Sequence, residues 1–476
     1  MRARSPFVAF VLGVAPVFVV IWMSRSTSPA SRPAPRVELP ERLSWLAIVT
    51  GPEPSGTQHS LSRDALEVAA ALGDGGAVLF GGGSGAPVQV LDDGRAPTLR
   101  EQLATFFDPR DRAVIYAEGP AVDGPASAEV VAEAFDVASR DEEPLVLYLG
   151  GHGDGGEEPL DSIVPLWGGR ALGVPELLEM LGTRPLRLVQ TTCFGGGFAE
   201  IIFARGNAEL GAAEADRCGV FATSWDAESS GCDPSPERSA QHSYTVHLLR
   251  ALRDPPERAD LDGDGAVSLL EAHTHARIVA HSIDLPTTTS ERWLFHAVET
   301  YGLDGEGVDL DPEVMREERE VVTRLGDALG CADEEAAQRR HAELQLELRR
   351  VDEELAEIEE ALDDVYFALR IRLLERWPRL DDPWDPSFEE TWVRERASIE
   401  AVFLHSPEGL GYQEVRAVYE RALHRTDALQ QRLARVRRLV EAWDTLAFAR
   451  VVRERGGEAW ATFLRLRACE RSVLPP

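Results

Sequence analysis

His152 stands in "LVLYLGGHGDGG" and Cys193 in "LRLVQTTCFGGGF". Each follows a short apolar run that reads as a buried strand, and each is set among glycines. A thiol becomes a thiolate at neutral pH when a base stands beside it, and a nearby histidine supplies one. If the two strands are neighbours in a parallel sheet, both side chains reach the same edge. Glycines there let the backbone approach a substrate closely and aim N–H groups at its carbonyl oxygen, as an oxyanion site requires. Singly, the HG dipeptide is a turn and the strand-end cysteine a small hydrophobe. Together they point to acyl transfer.

A second motif is "DLDGDGAVSLLE", the twelve residues Asp260–Glu271. Asp260, Asp262 and Asp264 offer carboxylates, Gly265 the sharp turn, and Ala266 a carbonyl. Ser268 fills the ninth position and Glu271 closes the set in bidentate fashion. The pattern predicts calcium binding. Pro255 and Pro256 interrupt the helix that would precede it, so a lone bracing loop is expected rather than a full sensor. His242, His247, His273, His275 and His281 flank this loop with no zinc-type spacing and read as solvated helix faces.

The elements that must position these groups alternate. "LSWLAIVTG", "GAVLFGG", "RAVIYAEGP", "EPLVLYLGG" and "LRLVQTTC" read as strands. "SLSRDALEVAAALG", "TLREQLATFF", "SAEVVAEAFDVAS" and "VPELLEMLG" read as helices between them. This predicts an α/β fold over 41–311, with a mostly parallel sheet covered by helices on both faces. Reactive groups in such sheets gather at the carboxyl ends of the strands. From about residue 312 the chain turns rich in Glu, Arg, Leu and Ala. Leu344, Leu348, Val351, Leu355, Ile358, Leu362, Val365 and Leu369 form a heptad seam, repeated by Leu429, Leu433, Val436, Val440 and Trp443. An α-helical coiled-coil hairpin or small bundle is expected over 312–476, packing internally and offering a surface for a protein partner or self-association.

The N-terminus carries an uncharged apolar run, Ser5–Met23, flanked by arginines on both sides. We expect a signal anchor over 1–24, a Pro/Ser/Arg-rich tether over 25–40, and the body of the protein exported. "SPA" at Ser28–Ala30 offers a cleavage site, so secretion after cleavage is the alternative; flanking arginines leave the orientation open. The formal net charge is −32, which argues against nucleic-acid binding, and the sequence contains no lysine, its fixed positive charge being all arginine. Of five cysteines, Cys218 and Cys232 flank one strand and its loop, and Cys331 and Cys469 bracket the helical region. Two disulfides with Cys193 free is one reading; five reduced thiols is the other.

The order strand–HG, strand–Cys, then "GVFATSWDAESSGCDP" resembles the caspase-like clan of cysteine peptidases, most closely its bacterial legumain-like and caspase-like members. The likeness runs from about Trp45 to Gly302. It implies a caspase-like fold, with His152 as general base, Cys193 as nucleophile, and the Gly153 and Cys193 amides as the oxyanion hole, with no cofactor for catalysis. The implied activity is endopeptidase cleavage of a protein or peptide through a thioester. Transamidation is a variant, and a catalytically silent scaffold presenting the helical hairpin is the rival. In this clan the strand and loop after the nucleophile line the substrate pocket, which nominates Trp225, Asp226 and Glu228. Thr191 stands where caspases carry Gln and metacaspases an acidic residue, and "CFGGG" departs from the legumain pattern. Subfamily and substrate preference therefore stay open.

Overall fold

The computed structural model describes residues 39–91, 96–108 and 114–474. The expected anchor over 1–24 and all but the end of the tether lie outside the described residues. No helix among the described residues is long and apolar enough to cross a membrane.

In chain order the elements begin with β1 (Trp45–Thr50), α1 (His59–Leu72), β2 (Gly76–Phe80), β3 (Pro87–Leu91), α2 (Leu99–Phe107) and β4 (Val114–Glu118). Next come α3 (Ala128–Ala138), β5 (Leu145–Gly151), β6 (Ile163–Pro165), β7 (Ala171–Gly173), α4 (Val174–Leu181), β8 (Leu186–Gln190) and β9 (Arg217–Phe221). Then follow α5 (Tyr244–Arg253), α6 (Leu269–Val279), β10 (Thr287–Thr288), α7 (Thr289–Tyr301) and α8 (Arg316–Leu329). The chain ends in α9 (Glu334–Arg376), α10 (Pro386–His405), α11 (Pro407–Arg455) and α12 (Gly457–Glu470).

The fold is α/β. Six strands form one sheet in the order β10-β9-β8-β5-β1-β2, parallel throughout except for β10, which runs antiparallel to β9. Its central strands are apolar on both faces because helices cover both. Leu46, Ile48, Leu147 and Leu149 face α3, α4 and α7, whereas Ala47, Val49, Val146 and Tyr148 face α1, α5 and α6. The chain winds outward from β1 in two directions, to β2 on one side and β5 on the other. The crevice past the ends of β1 and β5 is thus the topological switch point, where ligands gather in open α/β sheets.

One expected strand lies elsewhere. Val114–Glu118 is not part of the six-stranded sheet but pairs antiparallel with β3 in a separate two-stranded ladder. Its Ile115 and Tyr116 are exposed, which an apolar run alone does not reveal.

The C-terminal region is helical, as the heptads predict. α9 and α11 run antiparallel, with Leu344 and Val351 packed on Leu429 and Val436. The pairs Glu354–Arg425 and Arg372–Glu408 run in opposite senses along the two helices. These helices also build the sheet domain. Leu446, Ala449 and Phe463 join the core on one face of the sheet. Near the far end of the hairpin, Leu369, Phe388 and Phe403 enclose Phe106 and Phe107 of α2.

The cysteines pair differently from the expected scheme. Cys218 of β9 is bonded to Cys469 of α12, and Cys193, Cys232 and Cys331 are free. Cys218 is fully buried on the strand, on the side where α12 packs, so its neighbour in space is 251 residues away in sequence. Cys232 lies beyond the end of the same strand, at the site described next.

Candidate active site

β5 ends in Gly150 and Gly151, and both are needed. Gly151 has φ +104°, and a side chain there would strike the Thr50 carbonyl 1.9 Å away. This turn hands the chain to His152, whose amide donates to Thr50 O at 3.2 Å. His152 therefore sits at the switch-point crevice.

Its ring is held by groups from two distant loops. Nε2 lies 3.0 Å from Oε1 of Gln58, at the start of α1. With the Gln58 carbonyl oxygen as acceptor, the ring carries its proton on Nε2 and leaves Nδ1 unprotonated. Nδ1 faces the thiol of Cys232 at 3.8 Å. Burial holds the His152 pKa below its ordinary value, and the Gly56 carbonyl works weakly in the other direction. Burial likewise pushes the Cys232 thiol up to about 12, with Cys193 and Asp64 adding to the effect, so it stays protonated and donates to Nδ1.

Cys193 follows the neighbouring parallel strand, β8. Gly153 packs so closely on it that a Cβ there would lie 2.1 Å from the Cys193 carbonyl oxygen. The two strand ends meet only because position 153 has no side chain. Phe194, next to the cysteine, is in the left-handed region at φ +57°, an uncommon conformation for an aromatic residue. Its amide donates to Ala227 O at 2.8 Å, tying the turn to the loop after β9. The Cys193 sulfur accepts from the Ser229 amide at 3.3 Å and lies 3.8 Å from the Ser229 hydroxyl. Behind it, Tyr148 and Thr191 hydroxyls lie 2.9 Å apart and join β5 to β8. Among the described residues, no hydrogen bond joins Cys193 to the His152 ring, and the Gly153 and Cys193 amides donate to no protein acceptor.

The loop Ser224–Ser243 thus reaches both reactive groups, and buried charge fixes it. Asp284 is fully buried and accepts from the Ser230 amide at 2.6 Å and the Ser230 hydroxyl at 2.9 Å. It also accepts from the Tyr244 amide at 2.9 Å and the Ser282 hydroxyl at 2.6 Å. Further along, Arg238 is paired with Glu67 at 2.8 Å and also with Asp64, both on α1. Gln58, Ser229 and Asp284 had no signal in the local pattern, and Cys232 stood out only as a disulfide candidate, because each acts through a loop distant in sequence.

The nominated pocket residues separate. Trp225 and Asp226 line a cleft of about 540 Å³ whose other wall is α7 and α11; Glu228 does not line it. Arg277, Arg292 and Arg437 in this cleft are paired with Glu291, Glu200 and Glu441. Asp226, Glu299 and Asp444 also line it and pair with no arginine among the described residues, leaving the cleft acidic.

In the calcium-type loop, Asp260, Asp262 and Asp264 bring carboxylate oxygens within 4.8 Å of one another. Three hard oxygen donors fit calcium. Glu271 is committed elsewhere: its carboxylate accepts from the amides of Leu261 and Ser268, both at 2.8 Å, and caps α6. Ser268 is that helix's N-cap. Of the nearby histidines, His273 is fully buried rather than solvated, 2.8 Å from the Tyr244 hydroxyl.

No family model matches this chain, and no curated protein matches it.

Proposed function

We propose that the protein is a caspase-like cysteine endopeptidase. The observation that carries this reading is the placement of His152 and Cys193 just past the adjacent carboxyl ends of parallel β5 and β8, with the Gly153 backbone against the Cys193 carbonyl. The two unengaged amides of Gly153 and Cys193 are available to a developing oxyanion. In the proposed reaction the Cys193 sulfur attacks the peptide carbonyl carbon. The departing amine takes a proton through His152, and a thioester forms; water then releases the acyl group and restores the thiol. Ligand-free sites commonly hold catalytic pairs apart until substrate closes them, consistent with the separate partners of Cys193 and His152.

The acidic cleft beside Trp225 and Asp226 favours a basic substrate side chain. A panel of fluorogenic peptides ending in Arg, Asn or Asp tests it, with Arg expected to be cleaved fastest and Cys193→Ala inactive. Preference for Asp would contradict the acidic cleft. Transamidation, with an amine in place of water, is the variant of the same acyl-enzyme.

The Cys218–Cys469 disulfide favours maturation in an oxidising compartment, in keeping with an exported protein tethered through its N-terminal segment. Calcium at Asp260, Asp262 and Asp264 is proposed as a brace for the fold. The second reading is a binding protein without catalysis. Exposed Phe367, Ile371 and Leu410 on the far half of the hairpin favour a partner or a second copy there.

A further inference from the structure

The peptidase reading uses one thiol, yet the site holds two. His152 and Gly153 are consecutive residues that touch both cysteines. The ring of His152 faces Cys232 Sγ at 3.8 Å, and the backbone of Gly153 lies against the carbonyl of Cys193. Cys232 is also joined to Cys193 along the loop. Ser229 touches the Cys193 sulfur, and Cys232 follows it by three positions. Both residues are partly exposed, with the Cys232 thiol the more deeply set of the two, whereas Cys331 is buried and Cys218 and Cys469 are already bonded.

We propose that Cys232 is a resolving thiol for Cys193, closing a reversible Cys193–Cys232 disulfide when a hydroperoxide oxidises the site. The unequal environments of the two sulfurs assign their roles. Cys232 is kept protonated by burial and cannot act as the first nucleophile toward an oxidant. Cys193 stands just past the end of β8 against the Gly153 backbone, its sulfur meeting the Ser229 amide at 3.3 Å and the Ser229 carbonyl at 3.5 Å, and it is the sulfur the proposed peptidase presents as nucleophile. The thiolate of Cys193 attacks the peroxide, breaking its O–O bond; the sulfur gains one oxygen as sulfenic acid, and the departing alkoxide or hydroxide takes up the proton the thiol had released, leaving as an alcohol or water. Cys232 then attacks the sulfenic sulfur, giving its proton to Nδ1 of His152. The S–O bond breaks, and the departing hydroxide takes that proton to leave as water. Two thiols have lost two electrons to one peroxide. A dithiol reductant reverses the bond and returns both sulfurs.

The consequence is protection. A sulfenic acid without a partner goes on to the irreversible sulfinic form, whereas a disulfide stops the ladder one rung earlier. The site shares Cys193 and His152 with the proposed peptidase, but its readout needs no peptide cleavage, so the two readings fail separately.

The test uses the full chain, treated with hydrogen peroxide and mapped by mass spectrometry of peptides under non-reducing conditions. Wild type is expected to give a peptide linking Cys193 to Cys232 beside the Cys218–Cys469 pair. Labelling of Cys193 by a thiol-directed probe is expected to fall about tenfold and to return with dithiothreitol. In Cys232→Ser, each measurement normalised to that variant before oxidation, the loss is expected to persist after dithiothreitol, with sulfinate on Cys193. Absence of the linked peptide from oxidised wild type, or recovery of Cys232→Ser as complete as that of wild type, would overturn the proposal.

Discussion

The carboxylate of Asp284 holds both the amide and the hydroxyl of Ser230, one residue beyond the serine that touches Cys193 and two before the cysteine that touches His152. A single buried charge thus sets the distance between two reactive groups it never contacts. Arg438 of α11 reinforces it, donating to the carbonyls of Asp284 at 2.7 Å, Ala280 at 2.8 Å and Ser282 at 2.9 Å. The helical hairpin is therefore wired to the sheet edge that carries His152 and Cys193.

Asp284→Ala leaves buried donors without an acceptor, and is expected to cost about 2–4 kcal/mol of stability. The unfolding midpoint measures that loss. Under conditions where the variant is still folded, labelling of Cys193 is expected to slow, because Ser229 no longer stands where its amide meets the sulfur.

Gln58→Ala removes the acceptor that keeps the His152 proton on Nε2. A loss of about 5- to 30-fold in kcat/KM is expected, corresponding to roughly 1–2 kcal/mol. Because burial lowers the His152 pKa, the acid limb of the wild-type profile is expected below the ordinary histidine value. The base form, which the reaction needs, survives into mildly acidic solution.

How these residues escaped the sequence shows where local patterns end. "LVLYLGG" and "LRLVQ" announce strands through their own apolar content, and the glycines after them announce a turn. Leu344, Leu348 and Val351 announce a helical seam by spacing alone. Gln58, Cys232 and Asp284 act from three loops, and only the winding of β1, β5, β8 and β9 brings those loops to one edge. Cys218 and Cys469 are the same case: strand alternation decides which face Cys218 occupies, and α12 must arrive from the other end of the chain.

Burial holds His273 to a pKa of about 3, well below its unfolded value. The unfolded chain then takes up the proton first, so stability falls as pH drops from about 6.5 toward 3, at up to about 1.4 kcal/mol per unit. His273→Gln is expected to flatten that slope relative to wild type in denaturant titrations run across this range. An unchanged slope would place the ring in contact with water.

Breaking the Cys218–Cys469 bond frees a loop of 251 residues in the unfolded chain. Cys218→Ala and Cys469→Ala are each expected to lower stability by about 2–5 kcal/mol, and the double variant by no more than the larger single loss. Additive losses would show that the two sulfurs are not joined.

Calcium, added to chelator-treated protein, is expected to raise the melting temperature, with Asp260→Asn and Asp264→Asn blunting the rise. Calorimetry showing no uptake at millimolar calcium would leave the loop as an ordinary turn.

The central claim is that Cys193, based by His152, is the nucleophile. A peptidyl acyloxymethyl ketone carrying a basic side chain, followed by mass mapping of the adduct, tests this most directly. The account predicts one adduct, on Cys193, formed far more slowly in His152→Ala and absent in Cys193→Ala. An adduct on Cys232, or labelling of Cys193 that is indifferent to His152, would contradict it.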